Sequence, residues 1–184
     1  MTTSAEVVES PLSRVTLVTG PPGVGKTTAI RRLAEELAGK TIVGFYTDEI
    51  RAHGERVGFR ATTFPGRTCV LAHIAIRSPH HVSRYGVDIE AFERVIVPEL
   101  DRSAEMIMVD EIGKMECLSS QFVDVMKRIL SGQTPVIATV ALRGAGFIAE
   151  VKRHPGASIV TVTNDNRDRL PVEIARAIQT TKTR

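Results

Sequence analysis

Gly20, Pro21, Pro22, Gly23, Val24, Gly25, Lys26 and Thr27 match the pattern Gly-x-x-x-x-Gly-Lys-Ser/Thr position for position. These residue types suit one task, holding a chain of phosphates. Phosphate oxygens are densely anionic and need many donors at close range. Glycines let the backbone bend so that successive N–H groups converge, with no Cβ in the way. A helix starting directly behind the loop adds the positive end of its dipole. Lys26 can reach the outer two phosphates as a point charge, the Thr27 hydroxyl can ligate Mg²⁺, and Thr28 joins the cradle at the helix start. From average residue usage, a chain of this length matches by chance less than about once in a hundred. The plain alternative is a glycine-rich turn with no ligand, and the flanking segments argue against it.

A second pair of chemical groups lies downstream. The apolar run Met106 to Val109 ends in Asp110 and Glu111. An acid at the tip of a buried strand suits a metal, so Asp110 is expected to hold Mg²⁺ with Thr27, largely through coordinated water. Successive side chains on an extended chain point to opposite sides, which gives Glu111 a different task from Asp110. That task is to accept a proton from an attacking water, something a hydrolase needs and a passive binder does not.

The elements around these residues read as an alternation of strands and helices, the pattern of a mostly parallel sheet covered by helices. Val15 to Thr19 is a short β-branched run that leads into the glycine loop as a buried strand. A helix from about Lys26 carries Ile30, Leu33, Ala34 and Leu37 on one face and stops near Gly39. Three strands are expected at Ile42–Tyr46, Val57–Thr63 and Cys69–Ile74, with turns at Gly54 and at Pro65-Gly66; this is an antiparallel excursion from the parallel core over residues 41–76. Asp88 and Ser119 or Ser120 are helix caps, Pro135–Val140 and Ser158–Val162 are two more strands, and the last helix begins near Pro171. Residues 1–13 read as a flexible tail and residues 14–184 as one domain.

Composition excludes several classes. The chain has 184 residues, 42% of them hydrophobic, and no apolar run approaches a membrane span. Its start lacks the basic and apolar regions of a signal peptide. Cys69 and Cys117 lie far apart in no metal-binding spacing, so two free thiols in the cytoplasm are expected. The pair His80 and His81 reads as a solvated loop. A net charge of +3 and 4% aromatics are poor material for nucleic acid.

The segment Asp110-Glu111-Ile112-Gly113-Lys114-Met115-Glu116 resembles the signature of the THEP1 family of nucleoside-triphosphatases. Val43 to Glu49, Arg56 to Phe59, Tyr85 to Asp88 with Phe92-Glu93, and Val162-Thr163 with Asn166-Arg167 agree with it, so the likeness runs from about Arg14 to Ile178. The resemblance implies a P-loop three-layer sandwich of the RecA-like type with a catalytic glutamate. It also implies Mg²⁺-dependent hydrolysis of ATP, GTP, CTP and UTP with weak base discrimination. Glu111 then becomes the base, Gly113 and Lys114 join the nucleotide site, and Lys114 is either a phosphate contact or a structural one.

Two parts of the site stay open at this level. A guanine-specific protein would carry an Asn-Lys-x-Asp strand end, and here the late strand ends Thr163-Asn164-Asp165-Asn166-Arg167. Asn166 can bond a base edge and Arg167 can stack on it, or they can be a helix cap and a surface arginine. Phosphoryl transfer also wants further positive charge on its transition state. Arg51, Arg56, Arg84 and Arg143 are the candidates, with Arg143 and Arg56 foremost because the loop after a parallel strand is where such folds bind ligand. Two other functions compete with the hydrolase: a P-loop kinase, for which Arg77 to Arg84 is a sparse lid fragment, and a nucleotide-dependent regulatory module. Trapping of the γ-phosphate by an acceptor separates the first, and nucleotide-dependent capture of a partner the second.

Overall fold

The computed structural model describes residues 13–181, and all but the last residue of the tail expected at 1–13 lies outside them. The chain runs β1 (Val15–Thr19), α1 (Lys26–Glu36), β2 (Ile42–Ala52), β3 (Glu55–Thr63), β4 (Thr68–His73), β5 (His81–Val82), β6 (Tyr85–Val87), α2 (Ile89–Val95) and α3 (Val97–Leu100). It continues through β7 (Met106–Ile112), a 3-10 turn (Glu116–Leu118), α4 (Ser120–Ser131), β8 (Val136–Val140), α5 (Phe147–Lys152), β9 (Ala157–Thr161) and α6 (Leu170–Thr181).

The nine strands form one sheet in the order β5-β6-β4-β3-β2-β7-β8-β1-β9. The half from β2 through β7, β8 and β1 to β9 is parallel. The half from β2 outward through β3, β4, β6 and β5 is antiparallel. Both halves share β2, whose first residues pair with β7 and whose remainder pairs with β3. The excursion expected over 41–76 is therefore an extension of the core sheet, and it reaches Val87 through two short strands. His81 lies in one of these and not in a loop, although both His80 and His81 are exposed. Helix α5 was not expected; its six residues are too few to show a clear period.

Two apolar layers enclose the parallel half, and strand alternation divides the residues between them. Val15 and Leu17 of β1, Ile107 and Val109 of β7, and Val136 and Ala138 of β8 face α2, α3, α4 and α5. Val18, Met106, Met108 and Ile137 face α1 and α6, packing with Ile30, Leu33 and Ile174. This is the three-layer arrangement expected of the sequence. The thicker layer centres on Phe45, Phe92 and Phe122, whose rings meet edge to face with centroids 5.5, 5.6 and 6.1 Å apart. Ser119 caps α4 by accepting from the Phe122 amide at 3.0 Å, and Asp88 caps α2 by accepting from the Ala91 amide at 2.9 Å.

One backbone position fixes how closely the two halves join. Gly44 has φ of +116°, and a Cβ there would sit 1.9 Å from the Met108 carbonyl oxygen. Only glycine lets β2 lie against β7 at this point. Among the described residues no helix is long and apolar enough to cross a membrane.

Phe122→Ala removes one ring of a fully buried triad and leaves a cavity. It is expected to lower unfolding stability by about 3–5 kcal/mol, measured by urea denaturation. A loss below about 1 kcal/mol would show that the three rings do not act as the centre of this layer.

Candidate active site

β1 ends at Thr19, the chain turns through the glycine loop, and α1 starts at Lys26. Gly25 makes the turn into the helix with φ of +112°, in the left-handed region. No side chain caps α1, so its first N–H groups face the cleft with the helix dipole behind them. Lys26 folds back over the loop, donating to the carbonyls of Gly20 at 3.2 Å and Pro21 at 3.3 Å. Val24 is buried against the α1–α6 layer and anchors the loop from beneath.

Asp110 is almost wholly buried and is held on both oxygens. Oδ2 accepts from the Thr27 hydroxyl at 2.7 Å, and from the Thr47 hydroxyl at 3.4 Å and amide at 3.5 Å. Oδ1 accepts from the Thr139 hydroxyl at 2.6 Å. Burial pushes the Asp110 carboxyl above the usual range, against the pull of the Thr139, Thr27 and Thr47 hydrogen bonds and of Lys26. Thr27 and Asp110 meet as an all-oxygen pair, which suits a hard cation. Among the described residues no three His, Cys, Asp or Glu side chains gather to hold a metal alone. A divalent ion here would need phosphate oxygens and water to complete its shell.

The register of β7 against β8 slips between Val109 and Ile112: three steps on β7 match two on β8, from Ala138 to Val140. This bulge carries both Asp110 and Glu111 to the cleft, in place of the opposite-facing pair expected from a regular strand. Glu111 is half-buried, with Oε2 3.8 Å from the Lys26 ammonium. Burial raises its carboxyl, Lys26 lowers it, and Asp110 raises it further.

Gly113 stands between two carboxyls, since a Cβ on it would sit 2.8 Å from an oxygen of Glu111 and 2.8 Å from one of Glu116. Glu116 is buried at the start of the 3-10 turn, and burial pushes its carboxyl up to about 8. It lines the cleft beside Glu111, and burial favours its neutral form.

The cleft has a volume of about 870 Å³ and runs from the glycine loop across β7 to the antiparallel half. Gly20, Pro22, Gly23, Gly25, Lys26, Thr27, Thr28, Asp110, Glu111 and Lys114 line it. Of the four arginines, Arg56 and Arg143 line it too, and Arg51 and Arg84 do not. Arg51 pairs with Glu49 and the Gly54 carbonyl, and Arg84 donates to the Arg56 carbonyl. Asn166 spends its amide on its own turn, accepting from the Thr163 amide at 2.8 Å and donating to the Thr161 carbonyl at 2.9 Å. Arg167 lines a smaller cavity of about 230 Å³ with Gly25, Thr28, Arg32 and Asp168, on the other flank of the loop. Cys69 and Cys117 are unpaired, and burial pushes their thiols up to about 11 and about 12. Thr47, Thr139 and Glu116 had no part in the sequence-based site. Threonines in strands are ordinary, and nothing in their spacing marks these two.

A model of a nucleoside-triphosphatase family, described as NTPase, matches residues 15–175. The chain belongs to the THEP1 family of nucleoside-triphosphatases. The nucleoside-triphosphatase THEP1 of Thermotoga petrophila is 40% identical, over 86% of this chain and 89% of the relative. The human cancer-related nucleoside-triphosphatase is 32% identical over 93% of this chain and the full length of the relative. The crystal structure of THEP1 from Aquifex aeolicus superimposes with a TM-score of 0.81 at 36% identity, covering 87% of this chain and 96% of that one. The Aquifex aeolicus protein shares the α/β fold described above.

The raised Glu116 carboxyl gives a stability prediction. The unfolded chain releases that proton near its ordinary value of 4.5, whereas the fold holds it to about 8. Between these values the folded state binds more protons, so this group makes stability fall as pH rises. Glu116→Gln removes the effect, and its melting temperature is expected to gain on that of the wild type as pH goes from about 5 to about 8. Parallel pH profiles for the two proteins would show that Glu116 is ionised in the fold.

Proposed function

We propose that this chain hydrolyses nucleoside triphosphates to the diphosphate and phosphate in the presence of Mg²⁺, with little preference among ATP, GTP, CTP and UTP. The reaction class is that of the family to which it belongs. The observation that carries the reading is the Glu111 carboxylate, half-buried in the cleft and 3.8 Å from Lys26. Lys26 marks where the outer phosphates lie, so Glu111 stands at the end of the phosphate chain, where an attacking water must sit.

In this mechanism the loop amides and Lys26 hold the triphosphate and neutralise part of its charge. Glu111 orients a water and takes its proton as the oxygen attacks the γ-phosphorus. Thr27 and Asp110 would hold Mg²⁺, which would supply positive charge against the phosphates. Arg143 sits on the loop after β8 with its side chain exposed and lining the cleft. It is the arginine best placed to meet the departing phosphoryl group, since Arg56 is already engaged by Glu49 and Tyr85. Arg167 offers a flat face for a base, and with Asn166 committed to its own turn few donors remain to tell one base from another. The cytosol is the compartment that fits two unpaired thiols.

Phosphate release from the four triphosphates with Mg²⁺ tests this. Wild type is expected to use all four within about tenfold of one another. Glu111→Gln keeps the size and hydrogen bonding of the side chain and removes its basicity; it is expected to bind nucleotide and lose at least about 10²-fold in rate. A variant as fast as wild type places the base elsewhere. Arg143→Ala is expected to lose at least about tenfold in kcat with little change in nucleotide affinity, and an unchanged kcat would remove Arg143 from the transition state.

A further inference from the structure

We infer that the cleft contains a second subsite beyond the γ-phosphate, which takes a small ring-bearing alcohol able to receive the phosphoryl group in place of water. The placement of the triphosphate used here is that of the proposed function, and the subsite is an addition to it.

Position is the first argument. In the sheet, β7 with Asp110 and Glu111 lies two strands from β1 and its glycine loop. β3 and β4 lie two and three strands further out on the opposite side of β7. At about 4.8 Å per strand, their side chains are roughly 10–14 Å past the catalytic strand. On the proposed function the base lies the other way, toward Arg167, which lines the smaller cavity with Thr28. Neither end of a bound nucleotide therefore fills the cleft over β3 and β4.

Lining is the second argument. Phe59 on β3, Leu71 on β4, Val82 on β5 and Met115 after β7 all line the same cleft as the glycine loop. Phosphates and water have no use for these side chains. Apolar walls with a few fixed polar groups are the usual make-up of a site for an organic molecule. The cleft, at about 870 Å³, has room for one beside a triphosphate.

The polar groups narrow the ligand. The Arg56 guanidinium lies 5.1 Å over the Phe59 ring and is fixed by Glu49 at 2.8 Å and the Tyr85 hydroxyl at 3.1 Å. Phe59 and Tyr85 meet edge to face at 5.3 Å. A flat cation, an aromatic face and the Glu49 carboxylate lie together, which suits a ring with polar atoms on its edge. A hydroxyl on that ring, turned toward Glu111, occupies the place of the attacking water. Its oxygen forms a bond to the γ-phosphorus as the β,γ-bridging P–O bond breaks. The bonding pair leaves on the nucleoside diphosphate, and the hydroxyl proton passes to Glu111. The products are a phosphate monoester and the diphosphate, with nothing further consumed.

The probes are benzyl alcohol and 3-pyridinemethanol, supplied with Mg²⁺ and ATP labelled in its γ-phosphate. Labelled ester and labelled phosphate are separated by chromatography. Binding of each probe is measured in parallel by saturation-transfer NMR with a non-hydrolysable ATP analogue present. Expected are saturation transfer to the ring protons, labelled ester beside labelled phosphate, and an ester-to-phosphate ratio at least fivefold lower in Phe59→Ala. Val82→Ala, a milder change, should lower the ratio in the same direction. Phosphate without ester or probe binding overturns the subsite and leaves the hydrolase reading standing. Probe binding without ester overturns the transfer step. An unchanged ratio in both variants overturns the assignment to this wall. Failure to release phosphate at all counts against the proposed function itself.

Discussion

The whole arrangement depends on keeping one buried carboxyl satisfied. Asp110 sits in the interior with donors on both carboxylate oxygens, and each donor comes from a different element. Thr27 belongs to the helix after the glycine loop, Thr47 to β2 and Thr139 to β8. A carboxyl this deep is costly unless its oxygens find partners. Its requirement therefore fixes the relative heights of β2, β7 and β8 and the position of α1 above them. The registers Gly44 against Met108 and Val109 against Ala138 are the means by which the sheet meets it.

The parallel core was legible because its signals are local. Val15 to Thr19, Met106 to Val109 and Pro135 to Val140 are β-branched or apolar runs of strand length, and Ile30, Leu33 and Leu37 show the helical period. The glycine loop was legible because few other sequences make such a cradle. What escaped notice was decided at long range. Thr47 and Thr139 acquire their roles only when β2 and β8 flank β7. Neither the bulge after Val109 nor the shared facing of Asp110 and Glu111 has a sequence mark, because register depends on the neighbouring strand. The short strands β5 and β6 and the short helix α5 lie below the length at which periodicity speaks.

Electrostatically the cleft grades from one end to the other. At the loop, Lys26 and the amides of α1 give a positive field. In the middle, Asp110, Glu111 and Glu116 bring three carboxyls together, and burial favours the neutral form of Glu116. At the antiparallel end, Arg56 and Glu49 neutralise each other over an aromatic floor. The sequence motif describes the first zone and half of the second. Arg56 of the third zone was a sequence candidate, but the zone itself takes shape only where β3 and β4 extend the sheet.

That extension has a mechanical consequence. β2 is hydrogen-bonded to β7 along one stretch and to β3 along the next, with no break in the chain between them. The antiparallel half is thus cantilevered from the core by a continuous strand. The opposite wall is the loop from Ala141 to Gly146, where Arg143 lines the cleft and Lys152 of α5 donates to the Leu142 carbonyl at 2.8 Å. One wall of the cleft is thus built on a backbone ladder and the other on a loop pinned to a short helix.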